Sequence, residues 1–142
     1  MATDFIAFAA GENFMLDAGQ GSPIKAGMPS PAFFALSTYA VSGLASSITS
    51  LASIGEISVD WYTRASLAAP AASGGNLQYG TASWGTTDTT GPSAVKSIVL
   101  LSAASSGGAS GVPYCAWNLI PGGTPVDLSQ NNTTLNVTPL LT

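Results

Sequence analysis

Residues 54–67 read IGEISVDWYTRASL, and the stretch carries a period of two. Successive residues of a β-strand point to opposite faces, so an extended reading places Ile57, Val59, Trp61, Thr63, Ala65 and Leu67 on one side. Glu56, Ser58, Asp60, Tyr62, Arg64 and Ser66 fall on the other. On this register Ile57, Val59 and Trp61 face a core, while Asp60, Tyr62 and Arg64 face solvent or a neighbouring subunit. An alternation kept over twelve residues predicts a β domain.

The flanking sequence supports the same class. From Ala32 onward, short runs rich in β-branched and aromatic residues are separated by Gly, Pro, Ser and Asn clusters. AFFALSTYAV (32–41), LQYGTASW (77–84), VPYCAWNLI (112–120), TPVDLS (124–129) and TTLNVTPLLT (133–142) read as strands. VKSIVLLS (95–102) loses its alternation toward the centre, as a strand covered on both faces does. PAASGGN (70–76) reads as a loop, SSGGASG (105–111) as a hairpin loop and PGG (121–123) as a turn. SGLASSITSLAS (42–53) is ambiguous: Leu44, Ile48 and Leu51 have helical spacing, but the Ser and Thr content favours loop or strand. The sum is an all-β domain over residues 32–142, a β-sandwich or jelly-roll-like domain of seven or eight strands. Ahead of it, residues 1–31 form a separate segment. Phe5, Phe8, Met15 and Leu16 fit one face of a short helix capped by Thr3 or Asp4 and stopped at Gly19. An arm docked on a neighbouring subunit fits the same residues, and periodicity leaves both open.

Composition excludes most chemistry. The 142 residues carry 7% charged side chains and a net charge of −4, against roughly 25% charged residues in an ordinary soluble domain. Ser, Thr, Gly, Ala and Asn must therefore dress the surface, and so little charge offers little resistance to self-association. Three cations cannot neutralise a phosphate backbone, so no nucleic-acid partner is expected. The acidic balance points away from anionic membranes. Mean hydropathy is +0.35, yet no apolar run approaches the roughly 18 residues of a spanning helix. MATDFIAFAA at the start places an acid where a signal peptide carries Lys or Arg, which predicts a protein kept in the cytoplasm until assembled.

With no histidine, the usual triads, most zinc sites and the commonest general base are missing. Cys115 has no activating base near it in sequence and reads as a small buried hydrophobe. The Gly-rich SSGGASG lacks the Lys and Ser or Thr of a phosphate-cradling loop. Paired carboxylates are the remaining option. On an extended strand Glu56 and Asp60 lie roughly 13 Å apart, beyond the about 5–9.5 Å of glycosidase pairs. The same arithmetic separates Asp60 from Arg64 and sends each to an adjacent strand or subunit. Asp127 with Asn131 supplies calcium-type oxygens without EF-hand spacing, and a turn explains them without a metal. Trp61, Trp84 and Trp117 with Tyr62, Tyr79 and Tyr114 fit a core or interface better than a sugar-stacking surface. No catalytic residue, metal ligand or cofactor site is expected.

Four segments follow in order: FFALSTYA, the acidic strand GEISVDWYTRASL, a small-residue spacer with SWGTTDTTGPSAVKSIVLLSAASSGG, and the closing PVDLSQNNTTLNVTPLLT. In that order and spacing, over residues 32–142, the chain resembles the small structural proteins of tailed bacteriophages: tail fibre, minor capsid and head decoration proteins. It departs from them in showing Trp61-Tyr62-Thr63-Arg64 where they carry a Tyr-Ala-Arg-like triplet, and in the SGLASSITSLAS insertion. The resemblance implies a non-enzymatic β-sandwich without cofactors, a homo-oligomer that is often a trimer, and a place in the virion against major capsid or tail proteins. On that reading Phe5, Phe8, Met15, Leu16, Asp60, Tyr62 and Arg64 are the expected assembly contacts.

Overall fold

The structure is a computed structural model and describes residues 4–9, 11, 32–68, 71–74, 76–102 and 112–141. Ten strands occur among them: β1 (Phe5–Ala7), β2 (Ala32–Ser37), β3 (Ala65–Leu67), β4 (Ala71–Ser73), β5 (Asn76–Gln78), β6 (Ala82–Gly85), β7 (Ser97–Leu101), β8 (Pro113–Asn118), β9 (Thr134–Val137) and β10 (Leu140–Leu141). A five-stranded antiparallel sheet runs β1-β8-β7-β2-β3. A three-stranded sheet β10-β5-β4 and a two-stranded sheet β6-β9 complete an all-β, sandwich-like fold. Among the described residues the three sheets do not close into a barrel.

β7 is the centre of the large sheet, and each of its five residues is buried. Alternation sends its side chains to two different cores. Ile98 and Leu100 join Phe34, Leu36 and Cys115 against Tyr79, Ala82, Trp84 and Leu128 of the smaller sheets and their loops. Val99 and Leu101 join Ala35 and Ala116 against Val41, Leu44, Leu51 and Ile54. The run SIVLL is apolar throughout because both faces of its strand are covered.

The ambiguous segment 42–53 supplies the second cover as two short 3-10 turns, Val41–Gly43 and Leu51–Ser53. Its aliphatics sit at helical spacing without a helix, since the Ser and Thr residues between them favour turns. The PAASGGN loop proves to be a hairpin: Ser73 pairs with Asn76, and Gly74 at φ 58° makes the turn. TPVDLS contributes one bridge, Val95 to Val126, rather than a strand. The SSGGASG loop lies outside the described residues.

Phe5–Ala7 is a strand, not a helix, and it completes the chain's own sheet. Phe5 and Phe8, placed on one helical face by their spacing, lie on opposite sides of that sheet. Phe5 packs toward the first core, with its ring centroid 5.6 Å from that of Trp117, and Phe8 is 0% exposed within the second. Backbone groups along the outer edge of β8 require partners, which residues 4–8 supply, and the tetrapeptide FIAF serves a period of two as well as one of 3.6. The division between residues 1–31 and 32–142 is therefore not a boundary between independent parts at residues 4–9.

Candidate functional site

Residues 54–67 hold the chain's one arginine beside Glu56 and Asp60, and the structure breaks their alternating register. A backbone bond from Tyr62 N to Val59 O, 3.0 Å, closes a turn over Val59–Tyr62. Only Glu56, through a bridge to Ser37, and Ala65–Leu67 keep strand pairing. The turn re-phases Tyr62–Arg64, whereas Ala65 and Leu67 pack on the core and Ser66 is exposed as the alternation predicts. Ile57 remains buried as expected, but Tyr62 (4% exposed) and Arg64 (6%) are also buried, while Trp61 and Val59 are only half-buried. Asp60, at the turn's corner, is exposed.

Re-phasing brings together three polar side chains that an extended strand holds apart. Eight residues of strand span about 26 Å, yet Arg64 Nη2 lies 2.7 Å from Glu56 Oε2 and Nε lies 2.8 Å from Oε1. Such a planar fork is the strongest form of carboxylate recognition. The Tyr62 hydroxyl donates to Glu56 Oε1 at 2.8 Å and accepts from Leu36 N at 3.1 Å. Trp84 Nε1 donates to Thr63 O at 2.8 Å, tying β6 to the same segment. With the Arg64 side chain at 0% and Glu56 at 8% exposure, this is a buried, hydrogen-bonded ion pair that clamps β2, the 56–64 segment and β6 together.

The cluster is ill-suited to move protons. The hydrogen bond to Glu56 raises the Arg64 pKa further above its already high value, with burial opposing. Burial and then the Glu56 charge push the Tyr62 phenol well above its usual range. Glu56 accepts from both neighbours, so neither of its oxygens is held out toward a substrate.

Elsewhere, burial pushes the Cys115 thiol far up, which opposes the thiolate a nucleophile needs. Asp88 accepts from Thr90 N and Oγ1, and Asp127 from Ser129 N and Oγ; these bonds lower both carboxyl pKa values and use one oxygen of each in a local turn. Asn131 Oδ1 accepts from Asn132 N. Among the described residues no three His, Cys, Asp or Glu side chains converge as a metal-ligand set, and no helix is long and apolar enough to cross a membrane. Trp84, Tyr62 and Tyr79 are buried, and Trp61, Trp117 and Tyr114 are half-buried.

The expected contact residues thus divide. Phe8, Tyr62 and Arg64 are buried within the chain, Phe8 in the second core and Tyr62 and Arg64 against Glu56. Phe5 is half-buried and Asp60 is exposed. Met15 and Leu16 lie outside the described residues. The pairing of Glu56 with Arg64 escaped the alternation argument; a signal for it was present in one glutamate and one arginine close together in a chain this poor in charge. Comparison of the chain with known protein families, curated proteins and solved structures found no match.

Proposed function

We propose that this chain is a non-enzymatic structural subunit of a bacteriophage particle, one that decorates or cements the capsid lattice. The observation that carries the reading is the disposition of charge. Of three cations, Arg64 is buried and Lys96 half-buried, and Lys25 lies outside the described residues. Among the described residues the surface is consequently dressed mainly in hydroxyl, amide and small or isolated apolar groups, with a few acids and one partly exposed cation, Lys96. Such a surface suits extended packing against other subunits, where each contact is weak and symmetry multiplies it. The buried ion pair takes the role of a clamp, and the resemblance in segment order supplies the virion setting. Partners on this reading are the major capsid protein or tail proteins, with further copies of the chain.

A tail-associated or fibre-base position uses the same surface. Copy number per purified particle, by quantitative mass spectrometry, separates the two: lattice decoration requires roughly hundreds of copies and a tail ring about three to twelve. A receptor or glycan-binding role draws less support, since the indoles a sugar-stacking platform needs are buried or half-buried. Absence of the protein from purified particles would overturn the proposal.

A further inference from the structure

Residues 4–9 are bound to the rest of the chain much as a peptide ligand is bound to a receptor. Their backbone adds a strand to the edge of β8 in the register Phe5 to Trp117, Ile6 to Ala116 and Ala7 to Cys115. Bonds of 2.9 Å from Asn118 N to Asp4 O and 3.0 Å from Phe8 N to Tyr114 O extend the pairing, and Ala9 N bonds Ser46 O at 2.9 Å. Asp4 Oδ1 accepts from Asn118 Nδ2 at 2.9 Å and Gly122 N at 2.6 Å, fixing one end. Phe8 fills the second core, and Gly11 passes so close to the Tyr114 carbonyl that a Cβ there would overlap it. Main-chain bonds with side-chain anchors on alternate faces are the strand-addition mode of peptide recognition.

A connector of 22 residues, 10 to 31, separates this strand from β2 and includes four glycines and three prolines. Extended, it reaches at most about 70–80 Å, more than the width of a domain this size, whose radius of gyration is about 14 Å. A neighbouring copy presents the same β8 edge, the same Phe8 socket and the same Asp4 partners. We infer that the β8 edge is an interaction surface for the residue 4–9 segment, with its strand Phe5–Ala7, of a second copy, so that subunits can be linked by strand exchange. No contact within the groove is lost in the exchange, so the balance rests on concentration. Covalent attachment through a connector of this length gives the chain's own segment an effective concentration on the order of millimolar. Dilute chains keep the strand in cis, and neighbours crowded into a lattice compete for it. The inference deepens the assembly reading and rests on it only for that crowded setting.

The natural Cys115 permits a direct test. Hydrogen-bonded pairing at Asp4 and Phe8 makes Ala7 and Cys115 a non-hydrogen-bonded pair. Their Cα atoms lie about 4.5 Å apart in such a pair, within the roughly 4.4–6.8 Å a disulfide spans. Full-length Ala7→Cys refolded at micromolar concentration under oxidation should form the intrachain bond; failure to do so would overturn the register on which the inference stands. An isotopically labelled chain carrying Ala7→Cys with Cys115→Ala is then refolded with the natural chain. At about 1 mM a substantial fraction should carry a 7-to-115 disulfide between labelled and unlabelled chains, identified by mass spectrometry, and the fraction should fall about fivefold or more on tenfold dilution. An intrachain bond that forms fully in the first experiment, with no interchain bond at 1 mM in the second, refutes the exchange. Because purified chains are used, this outcome is independent of whether the protein occurs in particles.

Discussion

Replacing Arg64 by Met keeps much of the side-chain volume and removes the charge, leaving Glu56 with 8% side-chain exposure and no cation in its fork. Loss of one partner from a buried pair costs about 3–5 kcal/mol, because the survivor keeps its desolvation penalty without its Coulombic return. For 142 residues the unfolding entropy near the midpoint is about 0.3 kcal/mol per degree, so Tm should fall by about 10–17 °C. Removing both charges with Glu56→Leu and Arg64→Met abolishes the orphaned carboxylate and should recover part of the loss. Recovery stays incomplete, since the Tyr62 hydroxyl then lacks its acceptor, a penalty of about 1–3 kcal/mol. Urea denaturation of the four proteins of the cycle, followed by tryptophan fluorescence, measures the coupling directly; its magnitude should lie between about 0.5 and 3 kcal/mol. An Arg64→Met loss below about 1 kcal/mol with negligible coupling is the behaviour of an exposed pair. That result would refute the clamp.

Two tyrosines with opposite surroundings supply a second comparison. The Tyr79 hydroxyl is buried without a hydrogen-bond partner, whereas that of Tyr62 both donates and accepts. Tyr79→Phe should leave stability unchanged or raise it, and Tyr62→Phe should lower it by about 1–3 kcal/mol, both read from urea midpoints; a loss at Tyr79 equal to that at Tyr62 contradicts the assignment. The acid limb of stability is the third. Hydrogen bonds lower the carboxyls of Asp4, Asp88 and Asp127 from their ordinary value of 3.8. A carboxyl that is more acidic in the folded state contributes stability that is complete above its unfolded pKa and is lost as the pH falls through its folded pKa. Changing all three to Asn should therefore flatten the decline in urea midpoint below about pH 4 and leave the pH 6–8 region flat.

The all-β class was legible because strand signals survive local error. VKSIVLLS reads as a doubly covered strand and is one, with each residue of Ser97–Leu101 buried. VPYCAWNLI contains β8, and AFFALSTYAV contains β2, which ends at Ser37 where its hydroxyl bonds Ile54 O and receives Tyr39 N. PAASGGN escaped because three-residue strands around a glycine turn leave too short a pattern to tell from loop. FIAF fits a period of two as well as one of 3.6, which left a helix and a docked arm both open, and pairing with β8, more than a hundred residues away in sequence, selects a strand at Phe5–Ala7.

For the candidate site the division falls at one backbone bond. Composition alone placed a lone arginine near a glutamate and a tyrosine in a chain without histidine, and that was enough to make the stretch worth testing. Periodicity assumed that the residues stay extended, and under that assumption Glu56 and Arg64 cannot meet. The turn closed between Tyr62 N and Val59 O shifts the phase over Tyr62–Arg64, so Tyr62 and Arg64 enter the interior beside Ile57, and the predicted phase returns at Ala65–Leu67. Alternation is a local property, fixed by the geometry of successive peptide units. Whether it persists depends on where β2, β6 and the core allow the backbone to pair, and those contacts come from residues far away along the chain.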